Sequence, residues 1–143
     1  MNDKGQVLAF ERSDTPDAWQ FPQGGVDYDE DPFITVKREI LEETGINPDT
    51  ELIFIAEHPE WLVYEFPKDK RPKGWSRGQA QKWFLFSVKN SDIKPDLSRA
   101  TSREFVNWRW ADIDEIVDKM VYFKKPVYEK IAGWVKQVLY RNK

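Results

Sequence analysis

Three features are scarce or missing in this sequence of 143 residues: cysteine is absent, histidine occurs once, and there is no long apolar run. Without cysteine there can be no disulfide framework, no thiolate nucleophile and no thiolate metal site. The single histidine, His58, cannot form a multi-histidine zinc site by itself. Any bound metal ion must therefore be held by carboxylate oxygens, which are the ligands typical of Mg²⁺ or Mn²⁺.

The remaining composition favours a cytoplasmic globular protein without membrane contact. No apolar run reaches membrane-spanning length, and no basic-then-apolar leader is present. The net charge is −3, which argues against a polycation that binds nucleic acid by charge alone. Hydrophobic residues make up 40% and aromatic residues 15%, enough for one domain over residues 1–143. No DNA-reading module such as a zinc finger is present, and the oligomeric state is not indicated.

Apolar periodicity and breaker residues together predict the secondary structure. The basic stretch 68–78 is predicted as a loop, and Pro48 is predicted to prevent a helix from resuming quickly. Strands mixed with a few helices favour one α/β sandwich with a mixed sheet. The predicted strands cover 6–10, 19–21, 52–56, 61–66, 79–88 and 105–110, and the predicted helices cover 31–44, 112–120 and the segment after Pro126.

The helix that follows Asp31 carries the clearest local signals. Asp31 suits the N-cap, Pro32 suits the first helical position, and Gly45 suits the residue after the last turn. The pair Gly24-Gly25 in the preceding loop would let the backbone pass close to the helix, where a side chain would obstruct a metal ion or phosphate.

Three glutamates of this helix, Glu39, Glu42 and Glu43, fall on one side at positions i, i+3 and i+4. Like charges at this spacing destabilise an isolated helix by roughly a few tenths of a kcal/mol per pair, and a bound divalent cation would reverse that sign. Arg38 lies one turn before Glu42 and could neutralise part of the cluster. The alternative is a solvated glutamate face, which does not account for the glycine pair, the caps and Arg38 together.

The spacing of these residues is that of a complete family motif. Gly24, Glu30, Arg38-Glu39-Ile40, Glu42-Glu43 and Gly45-Ile46 fill every defining position of the Nudix box, so the sequence resembles the Nudix hydrolase family. The resemblance implies a Nudix α/β/α sandwich and Mg²⁺-dependent hydrolysis of a nucleoside diphosphate linked to another group, with Mn²⁺ as a possible substitute. It also implies metal binding by Glu39, Glu42 and Glu43, with Glu39 as a candidate general base and Glu30 in a structural role.

Four further blocks, at 19–25, 78–85, 103–110 and 121–128, resemble one subgroup of that family. The subgroup contains bacterial RNA 5′-pyrophosphohydrolases and dinucleoside polyphosphate (diadenosine tetraphosphate) hydrolases. The resemblance implies cleavage of phosphoanhydride bonds in 5′-triphosphate RNA ends, in dinucleoside polyphosphates, or in both. Two alternatives stay open: a nucleoside triphosphate or ADP-ribose type pyrophosphatase, and a non-catalytic nucleotide- or RNA-binding Nudix module.

The same resemblance nominates site residues outside the helix. Glu104 would be a fourth metal ligand, and Arg12 a catalytic residue that clamps phosphate oxygens. Tyr64 and Phe123 would stack on a nucleotide base, and Lys124 would donate to its edge. The alternative is that the two aromatic rings belong to the core. Because Gln81 and Lys82 alternate along a strand, only one of them can face the site. The substrate-binding candidates are Gln23, Gly24, Tyr64, Lys82, Phe123 and Lys124.

One segment of the subgroup has no counterpart in this sequence. The subgroup carries a Tyr-Arg-Pro-Asn-Val strand before its Gly-Gln-Val segment, and the arginine of that strand contacts phosphates. Here the Gly5-Gln6-Val7 segment is preceded only by residues 1–4. The sheet is therefore expected to lack its usual first strand, which would leave neighbouring backbone groups unpaired.

Overall fold

The computed structural model describes residues 1–26, 29–71, 73–74 and 77–142. The loop predicted at 68–78 contains a short 3-10 turn at Lys68–Lys70, and its positions 72, 75 and 76 lie outside the described residues. The strands are β1 (Val7–Arg12), β2 (Trp19–Gln20), β3 (Leu52–Glu57), β4 (Leu62–Glu65), β5 (Gly78–Gln81), β6 (Phe84–Val88) and β7 (Phe105–Ala111). The helices are α1 (Pro32–Thr44), α2 (Pro48–Glu51), α3 (Ile113–Lys119) and α4 (Lys125–Arg141).

Helix α1 forms as predicted because the signals at both of its ends are local. The side chain of Asp31 accepts a hydrogen bond from the Phe33 amide at 2.7 Å. At the other end Gly45 adopts a left-handed conformation, with φ of 75°, and its amide donates to the carbonyl of Leu41. The helix turns Thr35, Ile40, Glu43 and Thr44 inward, so one carboxylate is buried with the apolar stripe.

The prediction that Pro48 delays a new helix is wrong, since α2 begins at that residue. The Asn47 side chain caps this helix by accepting from the Asp49 amide at 3.0 Å. Proline suits the first helical turn because its missing N–H would have no partner there. The same residue that cannot continue α1 therefore starts the next helix.

The single strand predicted at 79–88 is two strands in the structure. Strand β5 pairs antiparallel with β4, whereas β6 pairs antiparallel with β3. The break falls at Lys82 and Trp83, where the carbonyl of Trp83 accepts from the His58 amide at 2.8 Å. A change of pairing partner is a tertiary event, and the aromatic run that predicted the strand carries no signal of it.

The strands form three antiparallel sheets within the described residues: β2-β1-β7, β3-β6 and β4-β5. The α/β class is confirmed, although the strands are not joined into one mixed sheet. A cavity of about 440 Å³ lies between the sheets, and it is lined in part by Val7, Leu85, Ile40 of α1 and Ile131 of α4.

Two apolar clusters hold the layers together. The larger joins β1, β4 and the segment around Trp83 to α3 and α4, and the smaller packs Phe10, Ile46 and Phe105 around Ile40 of α1. Helix α1 is thus held by its own small core on one side of the strands. Across the described ranges, no helix is both long and apolar enough to traverse a lipid bilayer.

We expect Gly45→Ala to lower the free energy of unfolding by about 2 kcal/mol or more, because a left-handed non-glycine residue alone costs about 1–2 kcal/mol. A Cβ at Gly45 would also lie 2.5 Å from the carbonyl oxygen of Asp96. Urea unfolding monitored by circular dichroism measures the change. Gly133→Ala in α4 is the matched control, since a Cβ there meets nothing within 4 Å and should add about 1 kcal/mol of helix propensity. Equal effects of the two substitutions would contradict this account.

Candidate functional site

Glu43 is the buried carboxylate of the site. Only 5% of its surface is exposed, although it is a carboxylate on a helix. Burial, followed by the nearby carboxylates Glu39, Glu104 and Glu42, raises the pKa of Glu43 to about 8. Glu39, Glu42 and Glu104 therefore lie close enough to act on the buried carboxylate of Glu43.

The loop between β2 and α1 lies directly on these carboxylates. The Gln23 amide donates to Oε2 of Glu43 at 3.1 Å, the one hydrogen bond among the causes of its pKa that favours the charged form. A Cβ built on Gly24 would lie 2.1 Å from Cδ of Glu39, whereas a Cβ on Gly25 would meet nothing within 4 Å. The absence of a side chain at Gly24 thus makes room for the Glu39 carboxylate in its present position.

Arg38 neutralises part of the cluster, as the sequence predicted. Its Nη1 lies 3.0 Å from Oε1 of Glu39 and 3.3 Å from Oε2 of Glu42, and its Nη2 lies 3.0 Å from Oε1 of Glu30. Glu30 also accepts a short hydrogen bond from the Thr35 hydroxyl. Glu30 is therefore tied to Arg38 and to the first turn of α1, in agreement with a structural role.

Arg12 and Glu104 lie close enough for their charges to interact. Asp14 binds the Arg12 guanidinium with two contacts, 2.8 Å from Nε and 2.6 Å from Nη2. Hydrogen bonding to Asp14, together with the nearby Glu104, raises the pKa of Arg12. Because Glu104 acts on both Arg12 and Glu43, the phosphate-binding candidate and the buried carboxylate share one neighbourhood.

The candidates for gripping a base form an aromatic group. Tyr64 is 6% exposed, and its ring centroid lies 6.0 Å from that of Phe123 and 5.5 Å from Nζ of Lys124. The structure brings the three residues together, but Tyr64 has little exposed ring to offer a base. Burial lowers the pKa of Lys124, and nearby Arg12 lowers it further. Phe123 and Lys124 are the more accessible members of this group.

The charged group of Lys82 is bound at His58 and Glu57 rather than at the glutamates of α1. Its Nζ donates to the carbonyl of His58 at 2.6 Å and lies 3.7 Å from Oε1 of Glu57. Gln81 takes the opposite side, and its Nε2 donates to Oε1 of Gln23 at 3.0 Å. Only one of the two faces the site, as expected, and that residue is Gln81. This arrangement does not favour Lys82 as a substrate contact.

Comparison with known proteins identifies the family. The profile of the NUDIX domain matches residues 1–131. The chain belongs to the NUDIX family. The segment 24–46, which resembles the Nudix box, contains helix α1 and follows the Gln23 amide that donates to Glu43.

Several relatives resemble this Nudix chain along most of its length. It is 42% identical over 137 residues to a protein of Rhodospirillum rubrum named RNA pyrophosphohydrolase, covering 93% of this chain and 80% of that protein. It is 42% identical over 141 residues to Nudix hydrolase 26, chloroplastic, of Arabidopsis thaliana, covering 93% of this chain and 64% of the plant protein. The Escherichia coli dihydroneopterin triphosphate pyrophosphohydrolase superposes with a TM-score of 0.71 at 21% identity, covering 91% and 87% of the two chains, which shows the shared fold.

The four candidate metal ligands have the chemistry that a hard divalent cation prefers. Glu39, Glu42, Glu43 and Glu104 offer only carboxylate oxygens, and a cation would offset the repulsion and burial that now disfavour a charged Glu43. In the described part of the chain, no three acidic side chains are arranged closely enough to hold an ion as they stand. Two of the four, Glu39 and Glu42, are turned towards Arg38. Metal binding would therefore require these side chains to exchange that partner.

Gln79 and Gln81 lie beside the predicted site residues, although neither was among the candidates predicted from the sequence. Both lie on one face of β5, and Gln79 accepts from the Tyr64 hydroxyl at 2.6 Å. Their spacing of two residues on a strand was the available signal, since i and i+2 share a face. The signal does not say which face meets the Nudix box, and only the pairing of β5 with β4 decides that.

We expect Gly24→Ala to displace the Glu39 side chain from the Gln23–Gly24 backbone, because a Cβ at position 24 and the Glu39 carboxylate cannot share the same space. The displaced carboxylate would change the surroundings of the Gln23 amide, which donates to the neighbouring Glu43. Amide NMR spectra should show large shifts for residues 23 and 24, with an unchanged far-ultraviolet circular dichroism spectrum. Gly25→Ala is the matched control and should leave both amides in place. A Gly24→Ala spectrum that overlays the parent spectrum would disprove the crowding.

Proposed function

We propose that this Nudix chain hydrolyses a phosphoanhydride bond in 5′-triphosphate RNA ends or in dinucleoside polyphosphates. The observation that carries the proposal is the buried Glu43 beneath the Gln23–Gly24 loop, with Glu39, Glu42 and Glu104 close by. A buried carboxylate beside other acidic side chains is a costly arrangement unless a cation and an anionic substrate complete it.

The carboxylates would hold Mg²⁺, with Mn²⁺ as a possible substitute. A bound divalent ion supplies positive charge where negative charge develops on the phosphates and favours ionisation of water. Glu39, Glu42, Glu43 and Glu104 are the proposed ligands. Glu39 is also the candidate general base.

The substrate would extend from the carboxylates towards Arg12 and the aromatic group. Arg12 carries a permanent charge near Glu104, where it can contact phosphate oxygens. Phe123 and Lys124 offer a half-buried ring and a cation for a nucleotide base. The names of the bacterial relatives support RNA 5′ ends as the substrate class, and for such a substrate we propose a cytoplasmic location.

A substrate panel tests this proposal directly. The protein is incubated with Mg²⁺ and, in separate reactions, 5′-triphosphate RNA, a dinucleoside tetraphosphate, nucleoside triphosphates and ADP-ribose, and the products are identified. We expect turnover of one or both of the first two substrates, with loss of activity when the metal is chelated. Faster cleavage of the last two would favour the alternative pyrophosphatase. Mg²⁺-independent binding without turnover of any substrate would indicate a non-catalytic module.

We expect Glu43→Gln to reduce kcat by about a hundredfold or more, because it removes a charge that the proposed cation needs. The substitution keeps the side-chain size and the acceptor for the Gln23 amide, so the thermal midpoint should not fall. Glu129→Gln is the matched control, since Glu129 is exposed on α4 far from the Nudix box in sequence. A Glu43→Gln enzyme with the parent kcat would remove Glu43 from the metal ligands.

A further inference from the structure

A continuous set of hydrogen bonds connects the aromatic group to the carboxylate cluster through strand β5. The Tyr64 hydroxyl donates to Oε1 of Gln79 at 2.6 Å, and Nε2 of Gln81 lies 3.4 Å from the same oxygen. The same Nε2 donates to Oε1 of Gln23 at 3.0 Å, and the Gln23 amide donates to Glu43 at 3.1 Å. Gln81 is the only member that contacts both glutamines.

The orientation of the Gln81 amide is fixed by Trp83. The indole Nε1–H can only donate, and it lies 3.1 Å from Oε1 of Gln81. Because this contact requires the oxygen of Gln81, its NH₂ group must face Gln79 and Gln23, which both present oxygens. Gln81 and Trp83 are 9% and 8% exposed, so water competes little for these bonds.

Gln23 is held at both ends by this arrangement. Its side chain is held by Gln81 and its backbone amide by Glu43. The next residue, Gly24, lies directly against the Glu39 side chain. Loss of the Gln81 contact would remove one of the two restraints on the backbone that lies beside Glu39 and Glu43.

We propose that Gln81 is a positioning residue, whose NH₂ group holds Gln23 and thereby fixes the Gln23–Gly24 backbone over Glu39 and Glu43. Gln81 itself does not reach the carboxylates. Its effect on turnover rests on the proposed function, whereas its effect on the loop does not. The second effect can be measured without any substrate.

Hydrogen exchange of the Gln23 amide, measured by NMR, tests the loop contact. In Gln81→Leu we expect this amide to exchange at least about tenfold faster than in the parent protein, because the side-chain anchor is lost. Gln81→Glu should behave the same way, since it keeps an acceptor for Trp83 but presents no donor to Gln23. Gln79→Leu is the matched control: it lies on the same strand face, does not contact Gln23 and should leave the exchange rate unchanged.

The kinetic measurement separates positioning from a general loss of structure. We expect Gln81→Leu and Gln81→Glu to lower kcat by about tenfold or more while KM stays within about threefold, because the backbone beside Glu39 and Glu43 shifts while the substrate contacts proposed at Arg12, Phe123 and Lys124 stay in place. A double-mutant cycle with Gln23→Leu should be strongly non-additive, since both substitutions remove the same contact. Gln81→Glu, which is close in size to glutamine, keeps the test informative if Gln81→Leu folds poorly.

Unchanged exchange of the Gln23 amide in folded Gln81→Glu would overturn the proposal, as would additive effects of the two substitutions on kcat. If the parent protein turns over no substrate of the panel, the proposed function fails. The exchange measurement would still decide whether Gln81 positions the loop.

Discussion

The candidate site depends on the burial of one carboxylate, Glu43, in the field of three others. Such a group is stable only when positive charge or hydrogen-bond donors compensate for the lost water. Among the described residues the Gln23 amide donates to Glu43, while Arg38 pairs with Glu39 and Glu42 instead. The buried oxygens of Glu43 therefore keep a demand for positive charge that the described contacts only partly meet, and this demand is the physical basis for proposing a cation.

The same carboxylate determines the path of the preceding loop. The Gln23 amide points at Glu43, which places the next residue, Gly24, directly against the Glu39 carboxylate. The Gln23 side chain then projects towards β5, where Gln81 receives it. Gln23 thus connects helix α1 to strand β5. Its backbone amide contacts Glu43 of the helix, and its side chain contacts Gln81 of the strand.

The sequence allowed α1 and its carboxylates to be predicted because their signals are local. Asp31, Pro32 and Gly45 fix the ends of the helix, and helical geometry alone places the three glutamates together. The break between β5 and β6 and the buried position of Tyr64 were not predictable in this way, since they follow from strand pairing with β3 and β4. Gln81 and Lys82 combine the two kinds of information. Their alternation along a strand predicts that only one of them faces the site, and the pairing of the strand determines which one.

The pairing of Arg12 with Asp14 is compatible with a phosphate contact by the same arginine. A guanidinium has five N–H donors, and Asp14 uses one on Nε and one on Nη2, while Gln20 accepts one from Nη1 at 3.3 Å. One donor on each terminal nitrogen is left, and the two can serve a phosphate in the forked geometry that arginine favours. Asp14 therefore restricts the rotation of Arg12 and leaves two of its five donors for a phosphate. The guanidinium near Glu104 is thus oriented before a substrate binds.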